Sequence, residues 1–113
     1  EALLRRSGRP SATFRAGPVE VDADNLRARH GNQDVALTPR DVELLAYLAT
    51  EGERAIRREE LLREVWGYQR VDRVETRCID MHVAKLRKKL ASVCSQQVIE
   101  TVRGAGYRVA VAG

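Results

Sequence analysis

Apolar residues recur at helical spacing over one long stretch of the chain, Glu75–Ala91. Their separation by three or four residues predicts a narrow apolar stripe on an amphipathic helix, formed by Ile79, Val83, Leu86 and Leu90. At about 100° per residue, the opposite edge carries three cations and two neutral side chains, which are Arg77, Met81, Ala84, Lys85 and Lys88. The pattern therefore predicts a helix with one edge to bury and an opposite edge that is basic.

The basic edge of this helix has two explanations. A helix surface that only faces water usually mixes acids with bases in pairs, whereas here Asp80 is the only acid after Glu75 and lies to the side. Considered alone, a run of charges is most often a solvated face. The neighbouring elements must therefore decide whether this edge has a binding partner.

Period-two alternation and turn residues predict a set of short strands before residue 38. The expected strands are Phe14–Ala16, Val19–Asp22, Leu26–Arg29 and Asp34–Leu37. Turn-forming residues separate them at Gly17-Pro18, Asp24-Asn25 and His30–Gln33. Short strands at such regular spacing favour an antiparallel meander.

Two helices are expected between these strands and the basic-edged helix. Thr38 can cap the first of them, Pro39 suits its first turn, and Asp41 can bond back to the cap. This helix should continue to about Thr50 and bury Val42, Leu45, Leu48 and Ala49. The second should cover about Arg58 to Trp66, bury Leu61, Leu62, Val65 and Trp66, and end at Gly67.

β-Branched residues and glycines near the C-terminus predict a hairpin. Its strands are Val98–Val102 and Tyr107–Val111, its turn is Arg103–Gly106, and Ala55–Arg57 is a further short strand. Three helices followed by a hairpin are the order of a winged helix-turn-helix, whose third helix can enter a major groove. Arg103 on the narrow turn suits a minor groove, although it could also be a solvated turn residue. Together these elements favour a nucleic-acid partner for the basic edge.

Composition sets the broad class of the protein. The 113 residues are enough for one domain with a modest core. A net charge of +4 and a pI near 9.5 are compatible with a polyanionic partner. Cys78 and Cys94 fit no metal-ligand spacing and are expected to be thiols in a reducing cytoplasm. The absence of an apolar run of roughly 20 residues predicts no membrane span.

The first 13 residues are expected to precede the domain. Glu1–Arg6 has the pattern of the end of a helix, and the Ser-, Gly- and Pro-rich residues after it are typical of a linker. We therefore expect residues 1–13 to be the end of a preceding domain plus a linker, and residues 14–113 to be the winged-helix domain. The alternative is a frayed tail.

Catalysis finds little support in the sequence. The chain has two histidines, no Ser/His/Asp or Cys/His grouping and no metal-ligand cluster. Gly104 and Gly106 form a short Gly-x-Gly, but it joins two strands and opens no helix, so it is not a nucleotide-binding loop. We expect neither an enzyme nor a cofactor or metal.

Four segments resemble the successive signatures of the OmpR/PhoB-type DNA-binding domain, the output domain of two-component response regulators. They are Leu37–Leu45 (LTPRDVELL), Glu60–Tyr68 (ELLREVWGY), Asp80–Leu90 (DMHVAKLRKKL) and Glu100–Val109 (ETVRGAGYRV). The resemblance covers about Phe14 to Val111. It implies an α+β fold, a winged helix-turn-helix with an N-terminal four-stranded antiparallel sheet, a three-helix core and a C-terminal β-hairpin wing.

The same resemblance implies a function and partners. The domain is expected to bind double-stranded DNA sequence-specifically, with the third helix in the major groove and Arg103 of the wing in the minor groove. Members of the family commonly bind direct repeats as head-to-tail dimers driven by a receiver domain, which links them to a sensor kinase; Glu1–Arg6 resembles the end of such a receiver. The loop at about Gly67–Val74 is the family's usual contact to RNA polymerase, which here implies Tyr68, Gln69, Arg70, Val71 and Asp72.

The third helix should supply most DNA contacts, from Arg77, Cys78, Met81, His82, Lys85, Arg87 and Lys88. Arg77 and Lys85 are expected to reach bases. Arg87, Lys88 and Lys89 should touch phosphates or stay solvated. Met81 could touch a thymine methyl or pack against the wing, and a structural or phosphate-binding role is favoured for His82.

Other residues have structural expectations. Trp66 and Tyr107 should pack in the core and at the base of the wing, and Asp80 should pair with a neighbouring arginine. The chain departs from the family at Arg57, where a Ser or Thr cap is usual, and at Cys78 and Ala84 on or beside the DNA-facing edge. The last two departures leave the target sequence open.

Two alternatives to this function stay open. A winged helix can serve as a protein-interaction module, but its contact face would carry more apolar or aromatic residues than Arg77–Lys88 does. The same domain could also be attached to something other than a receiver, such as a membrane-anchored activator.

Overall fold

The computed structural model describes residues 13–52, 54–67 and 77–110. The predicted helix end and linker up to residue 12, and the loop residues 68–76 with their expected polymerase contacts, lie outside these ranges. The described elements are β1 Thr13–Ala16, β2 Val19–Asp22, β3 Arg27–His30, β4 Gln33–Ala36, α1 Pro39–Glu51, α2 Arg58–Glu64, α3 Arg77–Ala91, β5 Ile99–Val102 and β6 Gly106–Val109.

The first four strands form the predicted antiparallel meander in the order β1-β2-β3-β4. β3 begins one residue later than predicted, after Leu26, whose positive φ of 56° places it in the turn. His30 pairs with Gln33 around a two-residue turn, so β4 begins one residue earlier than predicted. Val19, Val21 and Ala28 are fully buried on the inner face of this sheet.

The start of α1 follows from its sequence. Thr38 Oγ1 accepts from the Asp41 N–H at 3.1 Å, and Asp41 Oδ2 accepts from the Thr38 N–H at 2.9 Å, which confirms the predicted capping box. Gly52 ends the helix with φ 69°. The predicted burial of Val42, Leu45 and Leu48 is confirmed, but Leu44 is buried as well and Ala49 is only half-buried.

The second helix is shorter than predicted. α2 ends at Glu64, and Val65 and Trp66 both bond back to the Leu61 carbonyl in a closing turn. Arg57 makes no side-chain capping bond, as expected from its departure from the family pattern. The short strand predicted at Ala55–Arg57 is a single bridge between Ile56 and Tyr107.

The third helix and the hairpin complete the domain. The predicted stripe of α3 is buried, with Ile79, Val83, Leu86 and Leu90 each at most 2% exposed. β5 and β6 pair antiparallel and form the wing. Buried residues of the sheet, the three helices and the wing form one core cluster. The structure therefore confirms the winged helix-turn-helix architecture. Within the described ranges no helix is long and apolar enough to cross a membrane.

Candidate nucleic-acid interface

One edge of α3 faces solvent along its whole length. We call it the outward edge, and it consists of Arg77, Cys78, Met81, Ala84, Lys85 and Lys88, all of which are exposed. Met81 is 57% exposed and is the only large exposed apolar side chain among the described residues. Its predicted exposure is confirmed. A helix of this length extends for about 22 Å.

The charges of the outward edge are available to a partner. Across residues 13–52, 54–67 and 77–110, no ion pair reaches Arg77, Lys85 or Lys88. The single acid of α3, Asp80, is bound to Arg58. The outward edge therefore presents three cations and no acid.

The wing tip supplies one more exposed cation. Arg103 begins the turn between β5 and β6 and is exposed. The turn is tight, because the Ala105 N–H donates to the Val102 carbonyl at 2.9 Å and Gly104 adopts a φ of 77°. A single guanidinium thus lies on a narrow projection.

His82 is turned toward the body of the protein. Its Nε2 lies 2.6 Å from Asp41 Oδ1, and its ring meets the edge of Trp66 with centroids 5.2 Å apart. The side chain is 24% exposed. These contacts favour the structural role over a contact to DNA.

Lys89 has the same kind of attachment. Its Nζ donates to Asp41 Oδ2 at 2.6 Å, so Lys89 is attached to α1. Burial alone would raise the pKa of Asp41, but the hydrogen bonds from Lys89, the Thr38 N–H and His82 outweigh it and hold that pKa below its usual value. Asp41 is 2% exposed, so an ionised carboxylate joins the start of α1 to α3.

Arg87 is attached to the wing. Its guanidinium donates to the Ile99 carbonyl at 2.9 and 3.1 Å and to Thr101 Oγ1 at 2.7 Å. It also lies 5.6 Å from the centre of the Tyr107 ring. With these donors engaged, Arg87 holds β5 against α3.

Asp80 and Tyr107 form a second attachment between α3 and the wing. The Tyr107 hydroxyl donates to Asp80 Oδ1 at 2.5 Å, and Arg58 Nε donates to the same oxygen at 2.6 Å. Burial would raise the pKa of Asp80, but these two bonds keep it lower than usual, while burial and Asp80 raise the pKa of Tyr107. The predicted arginine partner of Asp80 and the predicted packing of Tyr107 are both confirmed.

Family comparison identifies the domain. Residues 32–109 match the family described as transcriptional regulatory protein, C terminal. The chain belongs to this family. It is the OmpR/PhoB type that the sequence motifs indicate.

Relatives of this transcriptional regulatory domain are longer proteins. The chain is 40% identical over 111 residues to transcriptional regulatory protein PrrA of Mycobacterium leprae, which covers 95% of the chain and 47% of PrrA. It is 43% identical over 95 residues to SrrA of Staphylococcus aureus, which covers 82% of the chain and 39% of SrrA. The chain therefore spans less than half the length of these relatives.

Solved structures share the fold. The DNA-binding domain of Klebsiella pneumoniae RstA, in complex with the RstA box, has a TM-score of 0.71 at 32% identity and covers 88% of this chain and 97% of its own. The DNA-binding domain of Escherichia coli CpxR has a TM-score of 0.72 at 30% identity, covering 91% and 100%. The DNA-binding domain of Escherichia coli CadC has a TM-score of 0.76 at 25% identity, and the match covers 90% of this chain and 95% of the CadC chain.

The sequence did not predict that two residues of the regulatory domain, Asp41 and Arg58, bind side chains of α3. Asp41 was assigned only a capping role, and Arg58 had none. One signal was visible in the sequence. His82 and Lys89, the partners of Asp41, are seven residues apart, as are Asp80, the partner of Arg58, and Arg87, which bonds to the wing. Seven residues bring two side chains within about 20° of one line on a helix, so each pair marks one flank of α3.

The described part of the chain contains neither a metal site nor a disulfide. No group of three or more His, Cys, Asp or Glu side chains there could hold a metal ion. Cys78 is an exposed thiol and Cys94 a buried one, and they form no disulfide.

Proposed function

We propose that this domain binds double-stranded DNA sequence-specifically and regulates transcription as the output domain of a two-component response regulator. α3 lies in the major groove, which is wide enough to admit a helix, and the wing tip lies at the minor groove. The observation that carries the proposal is the outward edge of α3, where three cations occur without an acid and without an ion pair to any other described residue. A protein-binding face would instead be expected to present several large apolar side chains.

The residues of the outward edge have different tasks in this proposal. Arg77 and Lys85 contact bases or groups next to them, and Lys88 contacts phosphate. Met81 is exposed enough to touch a thymine methyl. Cys78 and Ala84 flank these positions and shape the preferred sequence.

Arg103 contacts the minor groove, whose negative potential attracts a guanidinium. Its exposure on a turn of three residues, 103–105, between paired strands supports this assignment. His82 and Arg87 act indirectly, because their polar atoms already bind Asp41 and the wing.

Solved relatives support a DNA partner. The RstA domain is described in complex with the RstA box, and the CpxR and CadC domains are described as DNA-binding. In this chain, we propose that the outward edge of α3 and the wing tip make the corresponding contacts to DNA.

The remaining partners belong to the whole protein. Since PrrA and SrrA extend well beyond the matched part, we propose that a receiver domain, addressed by a sensor kinase, precedes residue 14. We also propose that the domain binds direct repeats as a head-to-tail dimer. The segment Tyr68–Asp72 is proposed to contact RNA polymerase.

Selection of bound duplexes from a random pool tests DNA recognition directly. The 113-residue chain should enrich one short motif, and Lys85→Ala should relax the preference at one or two of its positions by roughly 1–3 kcal/mol. Arg29→Ala is the matched control, because it removes a charge from β3 of the sheet and should leave the motif unchanged. Failure to enrich any motif would contradict sequence-specific binding, and an unchanged motif with Lys85→Ala would contradict the assignment of α3.

A further inference from the structure

Two side chains of α3 hold one cross-strand pair of the wing. Thr101 and Tyr107 are directly opposite each other in the hairpin. Arg87 donates to Thr101 Oγ1 at 2.7 Å and lies against the Tyr107 ring, while the Tyr107 hydroxyl donates to Asp80 at 2.5 Å. Because Asp80 and Arg87 are seven residues apart, both contacts leave from the same flank of α3.

This pair is close to the wing tip. The next cross-strand pair is Val102 and Gly106, and the turn that carries Arg103 follows at once. Arg103 follows Thr101 by two positions along the chain, which is about 7 Å when extended. The place of Arg103 relative to the outward edge of α3 therefore depends on how α3 holds the hairpin.

A second polar attachment joins the hairpin to the segment before α2 rather than to α3. The Ile56 N–H donates to the Tyr107 carbonyl at 2.6 Å and the Tyr107 N–H donates to the Ile56 carbonyl at 2.9 Å, which fixes β6 to the segment before α2. Arg58 of α2 stacks 5.0 Å from the Tyr107 ring and balances the charge of Asp80. In the described residues, Asp80 and Arg87 are thus the side chains of α3 that bind the wing by hydrogen bonds.

We infer that Asp80, Arg87 and Tyr107 are positioning residues that couple the outward edge of α3 to the wing tip, so that both contact DNA as one rigid unit. The inference rests on the proposed function. Its physical basis is preorganisation: a wing already held in place loses less conformational freedom on binding, so Arg103 contributes its full contact.

A double-mutant cycle tests the coupling. Arg103→Ala is measured in the wild-type 113-residue chain and in Tyr107→Phe, which removes only the hydroxyl, against the selected duplex at one salt concentration. Arg103→Ala should weaken binding about tenfold in the wild-type chain and less than about threefold in Tyr107→Phe, because the wing is no longer held where its arginine reaches the groove.

Tyr47→Phe is the matched control for the loss of a hydroxyl. The Tyr47 hydroxyl is hydrogen-bonded to Glu60, so it joins α1 to α2 and not α3 to the wing. In that background Arg103→Ala should retain its full tenfold effect. Asp80→Asn provides a second route, because it weakens the same bond from the other end and carries the cycle if Tyr107→Phe does not fold.

The possible outcomes distinguish failure of the coupling from failure of the proposed DNA binding. If Arg103→Ala weakens binding by the same factor in the wild-type, Tyr107→Phe and Asp80→Asn chains, the network only stabilises the fold and the coupling is overturned, while DNA binding stands. If Arg103→Ala and Lys85→Ala both leave the wild-type affinity unchanged, the proposed interface is wrong and the coupling falls with it.

Discussion

Asp41 is a buried carboxylate with two structural tasks. One oxygen closes the capping box of α1 and also accepts from Lys89, and the other meets His82. A buried charge is tolerated only when it is paired and hydrogen-bonded, and Asp41 meets this condition with three partners. The same residue therefore starts α1 and holds the flank of α3 that faces away from the wing.

We expect Asp41→Asn to lower the free energy of unfolding by about 1–3 kcal/mol near neutral pH, because Lys89 and His82 lose a charged acceptor. The folded-state pKa of Asp41 lies below the usual 3.8. Its stabilising effect is therefore fully present above about pH 4 and is lost as pH falls through the lower folded-state pKa. Urea denaturation from pH 7 to pH 3 should show wild type and variant converging at the acid end.

Asp34→Asn is the control for this prediction. Asp34 also pairs with an arginine, Arg27, at 2.9 Å, but both side chains are 41% exposed. Its removal should have little effect at any pH, because water screens exposed pairs. An Asp41→Asn chain that is as stable as wild type at pH 7 would show that the carboxylate is not an anchor.

At the scale of elements, α3 has four sectors with different roles. One sector is the buried apolar stripe and the opposite sector is the outward edge. The two flanks carry polar pairs seven residues apart, Asp80 with Arg87 toward the wing and His82 with Lys89 toward α1. Apolar contacts are non-directional, whereas these hydrogen bonds fix the rotation of α3 about its axis. The flanks thus determine which side chains reach the outward edge.

The wing depends on one close backbone approach. A Cβ on Gly106 would lie 1.9 Å from the Ile56 carbonyl oxygen, and the φ of Gly106 is 122°. We expect Gly106→Ala to cost at least about 2 kcal/mol in free energy of unfolding and to expose the Ile56 and Tyr107 amides to hydrogen exchange. Gly104→Ala is the matched control, since its φ of 77° is also positive but a Cβ there meets nothing within 4 Å. Its cost should be about 1 kcal/mol, and equal costs for the two variants would contradict the close approach.

At the scale of the whole molecule, the distribution of charge matters more than its sum. The net charge is only +4, and many cations are already bound within the domain, as at Arg54, Arg58, Arg87 and Lys89. The exposed cations of the outward edge and the wing tip lie on the two elements proposed to bind DNA. Local field, rather than net charge, should therefore direct the domain onto a duplex.

Binding should consequently fall steeply with salt. If about six phosphates are contacted, counterion release predicts a loss of about 10³ in affinity between about 50 and 200 mM salt. Lys88→Ala should reduce the slope of log affinity against log salt by about 1, and Arg29→Ala should leave it unchanged. Fluorescence anisotropy titrations at several salt concentrations measure both slopes. An affinity that does not change with salt would argue against a phosphate-binding face.

Much of the architecture was predictable from local pattern. The capping box at Thr38 and Asp41, the buried stripe of α3 and the four-strand meander all depend on residues close in sequence, and the structure confirms them. Element ends were predicted less well, as at Trp66, because the closing turn after α2 depends on tertiary packing. The exposure of Met81, Lys85 and Arg103 was also predictable, since helical period and turn chemistry alone assign them to an edge and a tip.

The sequence by itself determined the elements, their order and the basic edge of α3, because periodicity, capping and turn chemistry act between near neighbours. Only the tertiary structure decided which cations of α3 are available to a partner. Arg87 and Lys89 carry the same charge as Lys85 and Lys88, but their partners, Ile99, Thr101 and Asp41, come from β5 and α1. A cation on a flank of α3 is withdrawn from a partner when a distant segment offers it an acceptor, and that depends on how α1, α3 and the wing pack together.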